Sequence, residues 1–169
     1  MSRTPVILEA YDPSWPSKFE AEKQRLLAIA GQWLCGSIEH VGSTAVPGMV
    51  AKPVIDIMFG IKSLQHSKQA IAVLVASGYD YWPYKADLMH WFCKPSDALR
   101  THHLHLIPFA SPLWFERIKF RDILRSNTTV AKQYAGLKRQ LAETYSTDRE
   151  AYTEQKWPFI QQVLQGGQC

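Results

Sequence analysis

The segment EHVGSTAVPGMVAKPVIDIMFG, residues 39–60, constrains this chain more than any other. Asp56 interrupts an apolar run formed by Val54, Ile55, Ile57 and Phe59. Such a run, bounded by turn signals, predicts a strand over about 53–60 that is covered on at least one side. A carboxylate buried alone on such a strand is costly. It either accepts hydrogen bonds from backbone amides of a neighbouring loop, or it ends at a cleft and meets a cation. The loop ahead of it favours the cleft. Gly42-Ser43-Thr44 supplies a glycine that lets backbone approach a ligand, with hydroxyls and free amides to hold phosphate oxygens. Pro47-Gly48 then turns the chain back.

A length of 169 residues fits a single domain, 1–169, and 46% apolar residues suffice for a real core. The formal charge of +4 suits a phosphate-bearing small molecule. It is too small, and too evenly spread, to signal a nucleic-acid protein. The cysteines are Cys35, Cys93 and Cys169, an odd count without a Cys-x-x-Cys pair. A disulfide framework is not expected, and the default location is a reducing cytoplasm. The opening MSRTPVILEAYDP lacks a secretory pattern, and no apolar run is long enough for a membrane helix.

Residues 6–10 read as an edge strand or lead-in. SWPSKFEAEKQRLLAIAGQW reads as a helix with Ser17 and Glu20 as a capping box, and Phe19, Leu26, Leu27, Ala30 and Trp33 on its buried stripe. Residues 37–42 form a short strand, and Ser63 caps a helix ending near Gly78. YDYWPY, LMHWFCK and THHLHLI follow as three antiparallel strands. Ser111-Pro112 opens a helix over about 112–125, followed by helices over 129–145 and 148–164, the last ended by Gly166-Gly167. The class is α+β: a small mixed sheet over 1–110 with helices on one face, then a helical third over 111–166.

THHLHLI places His103 and His105 on one face of a strand and His102 on the other. Two imidazoles with Asp56 from an adjacent strand would suit zinc, manganese or iron. A hydrogen-bonded surface pair, or a general acid or base, are the alternatives. His40 sits just before the glycine loop, while His66 and His90 have no partner pattern. Lys52, Lys94 and Arg100 stand at strand ends and would line one cleft for a diphosphate or triphosphate. Arg121 and Arg125 share one side of their helix. Trp82, Trp91 and Trp114 read as packing residues.

EHVGSTAVPGMVAKPVIDI, RTHHLHLI, FRDILR, YAGLKRQLA and DREAYTEQKWPFI resemble the GrpB family, from about Tyr11 to Leu164. The resemblance implies a nucleotidyltransferase-like fold, with relatives fused to a dephospho-CoA kinase domain. It adds Arg121, Lys138 and Lys156, with Tyr152 one turn before Lys156, as inward-facing helical positions. It implies a metal-dependent protein that acts on or binds a nucleotide or other phosphorylated small molecule. Asp56, His103 and His105 would be catalytic and metal-binding, with magnesium, manganese or zinc as the ion. Gly42, Ser43, Thr44, Lys52, Lys94, Arg100, Arg121 and Lys156 would hold the phosphorylated ligand. One departure matters. Nucleotidyltransferases of this superfamily carry a second carboxylate two residues away, where this strand has Val54 and Met58. A non-catalytic binding module, or an interaction domain linked to coenzyme A metabolism, is therefore the alternative.

Overall fold

The computed structural model describes residues 4–166, so Gly167 and Cys169 lie outside the described residues. Helix α1 spans Trp15–Ala30. It starts ahead of the expected capping box: the Ser14 amide donates to Asp12 Oδ1 at 2.8 Å, and Ser17 donates its hydroxyl back to the Ser14 carbonyl at 2.8 Å. Pro16 is tolerated there because first-turn amides have no intrahelical partner.

Strands β1 (Leu34–Val41) and β2 (Ile55–Ile61) pair antiparallel. Residues 6–10 contribute only an isolated bridge, Glu9 to Ala51. The helix expected from Ser63 shortens to α2, Ala70–Ala76, and the Ser63 hydroxyl instead accepts from the His66 amide at 3.0 Å. Strands β3 (Asp80–Trp82), β4 (His90–Pro95) and β5 (Arg100–Pro108) form the expected antiparallel meander. Strand β5 then lies parallel to β2, giving the order β1-β2-β5-β4-β3.

The expectation of helices on one face is corrected. Side chains alternate along β2. Ile55, Ile57, Phe59 and Ile61 pack into the cluster holding Trp15 and Leu26 of α1 and Leu74 of α2. Met58, on the other face, packs with Trp91, Ile107 and Trp114. Trp114 belongs to α3, Pro112–Ser126, so helices cover both faces. The unbroken apolar reading of β2 is what a strand covered on both sides produces. Trp91 and Trp114 are buried as expected, whereas Trp82 is 44% exposed. It lies on the edge strand β3, which ends the sheet.

Ser111 caps α3 by accepting from the Trp114 amide at 3.4 Å, and Asn127 caps α4, Thr128–Thr144, by accepting from the Val130 amide at 3.1 Å. Helix α5 runs Arg149–Gly166. Arg125 Nε donates to the Ala45 carbonyl at 2.8 Å and so ties α3 to the loop ahead of β2. Cys35 and Cys93 are free thiols, and no described helix is long and apolar enough to cross a membrane.

Gly60 on β2 has no room for a side chain, because a Cβ there would run into the Cys35 carbonyl of β1. Gly136 on α4 faces open space. Urea denaturation should therefore separate the two: Gly60→Ala loses about 1–3 kcal/mol as an overpacked site. Gly136→Ala gains about 0.5–1 kcal/mol from helix propensity and a less flexible unfolded chain.

Candidate functional site

The parallel β2–β5 ladder sets Asp56 beside His103 and Met58 beside His105. Asp56, His103 and His105 therefore share the sheet face that looks toward α3 and the C-terminal helices. His103 Nδ1 lies 3.0 Å from Asp56 Oδ1, and His105 Nε2 lies 3.4 Å from the same oxygen. His102 leaves the opposite face, as expected, with Nδ1 at 2.8 Å from the Thr101 hydroxyl. Gly42 is in the left-handed region, φ 74°, and a Cβ there would come within 2.5 Å of Asp56 Oδ2. The glycine lets the loop close against the carboxylate rather than against a ligand.

The partners assign the protons. Burial alone would raise the Asp56 carboxyl, but hydrogen bonds from His103 and His105 hold it well below the usual range. Burial lowers both imidazoles, His105 to about 4, so they are neutral donors to an ionised acceptor near pH 7. His103 then carries its proton on Nδ1. Its Nε2 is a buried base without a hydrogen-bond partner among the described residues. His105 is the other tautomer: Arg117 Nη1 donates to its Nδ1 at 3.2 Å, leaving the proton on Nε2 for Asp56.

Cations surround this single carboxylate. Lys52 and Lys156 place their ammonium groups 5.1 and 4.5 Å from the Tyr152 ring centroid, and both feel the Asp56 charge. Among the described residues neither forms a salt bridge. Lys138 is 1% exposed and donates to Ser43 Oγ at 2.8 Å and to the Val50 carbonyl. Arg100 reaches the same face with its guanidinium 5.0 Å from the Trp91 ring centroid, and shares Asp97 with Arg149.

Three expected ligand-binding residues are placed elsewhere. Lys94 projects from the opposite face and pairs with Glu22 of α1 at 2.6 Å. Arg121 is held by Glu39 and Asp122, each at 2.9 Å, and by the His40 carbonyl at 3.2 Å. Thr44 is buried, with Oγ1 at 2.9 Å from His40 Nε2. His90 Nε2 contacts the Leu64 carbonyl at 3.2 Å, and His66 is exposed. Arg117 is the site residue the sequence reading missed. Its signal was its spacing, one turn after the sheet-packed Trp114.

Asp56, His103 and His105 each offer a ligand atom within 4.8 Å of the others. As arranged, they do not fit a preformed cation centre. Magnesium and manganese want several oxygen donors, and here one carboxylate stands alone. Zinc at His105 Nε2 would need the proton moved to Nδ1, where it would confront the Arg117 donor. Lys52 and Lys156 add like charge. The trio is a hydrogen-bonded acid–base network with the Lys52 and Lys156 ammonium groups nearby.

The family described as GrpB protein matches residues 5–166. The glutamate-rich protein GrpB of Alkalihalophilus pseudofirmus is 37% identical over 164 residues, covering 94% of each chain. A UPF0157 protein of Pseudomonas aeruginosa is 39% identical over 160 residues; the match takes in 90% of this chain but 64% of that protein's length. The crystal structure of the conserved protein GrpB from Enterococcus faecalis superposes with a TM-score of 0.84 at 30% identity, covering 95% of this chain and 96% of that one. With a family match over nearly its whole length and this fold in common, the chain belongs to the GrpB family.

Proposed function

We propose that the cleft between the Asp56 face of the sheet and helices α4 and α5 binds a phosphorylated small molecule of the nucleotide or polyphosphate class. The observation that carries this is the unpaired cation pair Lys52 and Lys156, with Lys138 behind them, around one carboxylate. Unpaired ammonium groups in a partly buried cleft are a standing electrostatic cost that a polyanion relieves. The glycine–serine loop ahead of a carboxylate-bearing strand supports a nucleotidyltransferase-like reading of the fold. His103, oriented by Asp56, supplies a neutral base at Nε2 for taking a proton from an attacking hydroxyl or water. Asp56 keeps that imidazole in the correct tautomer.

The lysines give this reading a pH dependence. Burial lowers Lys138 to about 6, Lys156 to about 7 and Lys52 to about 8. These are bases whose folded pKa lies below the unfolded one. The cost of burying their charge is present in full below about pH 6 and is relieved as pH rises through about 8 toward the unfolded value. The free protein should gain stability over that window. A polyanion needs the charged forms, so its binding should take up protons and weaken from pH 6.5 to pH 9. Calorimetric titration of inorganic tripolyphosphate into metal-free protein at the two pH values checks this. Lys156→Ala should weaken binding about 10- to 100-fold, the size of a lost charge-assisted hydrogen bond. Binding that ignores both pH and Lys156 would refute an anion site here.

Metal-assisted chemistry is the second reading, and the clustering of Asp56, His103 and His105 favours it. It requires Arg117 to release His105. Arg117→Leu should then raise zinc affinity by about tenfold or more, read by competition with a chromophoric chelator. Equal affinity in parent and variant would show that Arg117 does not keep the metal out.

A further inference from the structure

The cleft does not end at the lysines. Trp91 stands on β4 with its ring centroid 5.1 Å from that of His103 and 6.4 Å from that of His105. Tyr84, in the connection from β3 to β4, lies 6.0 Å from Trp91 at 70°. The next residue, Lys85, reaches from this connection to α5. Its ammonium is 5.6 Å from the Tyr84 ring centroid and 5.4 Å from that of Trp157 on α5. Trp157 directly follows Lys156, so one helix turn carries both a phosphate-facing cation and a ring.

Trp91 is buried, 7% exposed, and backs the site, whereas the two outer rings are not core. Tyr84 is 45% exposed and Trp157 40% exposed, although the chain has a buried core available for aromatic residues. Lys85 adopts a left-handed backbone, φ 47°, which is unfavourable for a residue with a side chain. The loop tip is held in that shape while it presents a ring and a cation to the opposite helix. A bare phosphate chain has no use for aromatic faces. A ligand that joins a planar ring to phosphates uses both ends of this cleft. Its ring would stack at the mouth, and its anionic end would reach Lys156 and Lys52 further in.

Resting on the phosphate reading above, we propose that Tyr84, Trp91 and Trp157, bridged by Lys85, form the ring-binding end of the cleft, so that the ligand is a nucleotide rather than an inorganic polyphosphate. Stacking tolerates different bases, because every base has a π face. Selectivity among bases is therefore expected to be modest.

The test is calorimetric titration of metal-free protein with each of the four ribonucleoside triphosphates and with inorganic tripolyphosphate. At least one nucleotide should bind about tenfold or more tightly than tripolyphosphate, the scale of a stacked base. Trp157→Ala should abolish that advantage and leave tripolyphosphate affinity unchanged. Tyr84→Ala, a second exposed position, should reduce it without touching Lys52 or Lys156. Nucleotides that bind no more tightly than tripolyphosphate would overturn the ring site alone and leave the phosphate reading standing. So would an advantage that persists in both variants. Failure of all five anions to bind would overturn the phosphate reading and the ring site together.

Discussion

The pairing of Asp56 with His103 across the parallel β2–β5 ladder is the interaction on which the rest of this site depends. A carboxylate on a strand covered on both faces needs a partner supplied by the fold itself. Strand β5 supplies two imidazoles on the same face, and Gly42 lets the loop seal the remaining side. Asp56 itself fixes the His103 proton on Nδ1 and leaves a buried bare Nε2, whereas the Arg117 guanidinium behind His105 leaves that ring's proton on Nε2. The chemistry available to the cleft follows from those proton positions more than from residue identity.

Charge is unevenly shared around Asp56. One carboxylate faces Lys52, Lys156 and Arg117, and its own negative charge is spent on two neutral imidazoles. The acids on neighbouring elements are committed elsewhere: Glu22 to Lys94, Glu39 to Arg121, and Asp97 to Arg100 and Arg149. The surrounding ion pairs thus leave the cleft lysines without partners. Burial is the main cause that lowers the three lysines, and repulsion among the neighbouring cations adds to it.

Much of this was legible because strands have a period of two and helices repeat every few residues. That is how the same-face pair His103 and His105 could be read, while Asp56 stood out from its apolar run and Ser111-Pro112 marked the start of α3. What the sequence could not carry was register and facing. Lys94 pairs with His102, so it shares the His102 face and turns toward α1; nothing local distinguishes this from the opposite parity. Arg121 looked like a cleft cation because its partner Glu39 lies 82 positions away in sequence. Lys138 and Lys156 were recognised through family motifs rather than periodicity. Arg117 needed the knowledge that Trp114 packs on the Asp56 face. The second helical layer was missed because a continuous apolar strand does not say from sequence which face each helix covers.

An anion cleft and a cation centre make opposite demands on Asp56. In an anion cleft its charge opposes the ligand; in a cation centre its charge holds the metal. The most direct measurement is therefore the affinity of inorganic tripolyphosphate for metal-free Asp56→Asn protein against the parent. An anion cleft predicts tighter binding in the variant, because a like charge has been removed while its shape is kept. Weaker or abolished binding in the variant would contradict it.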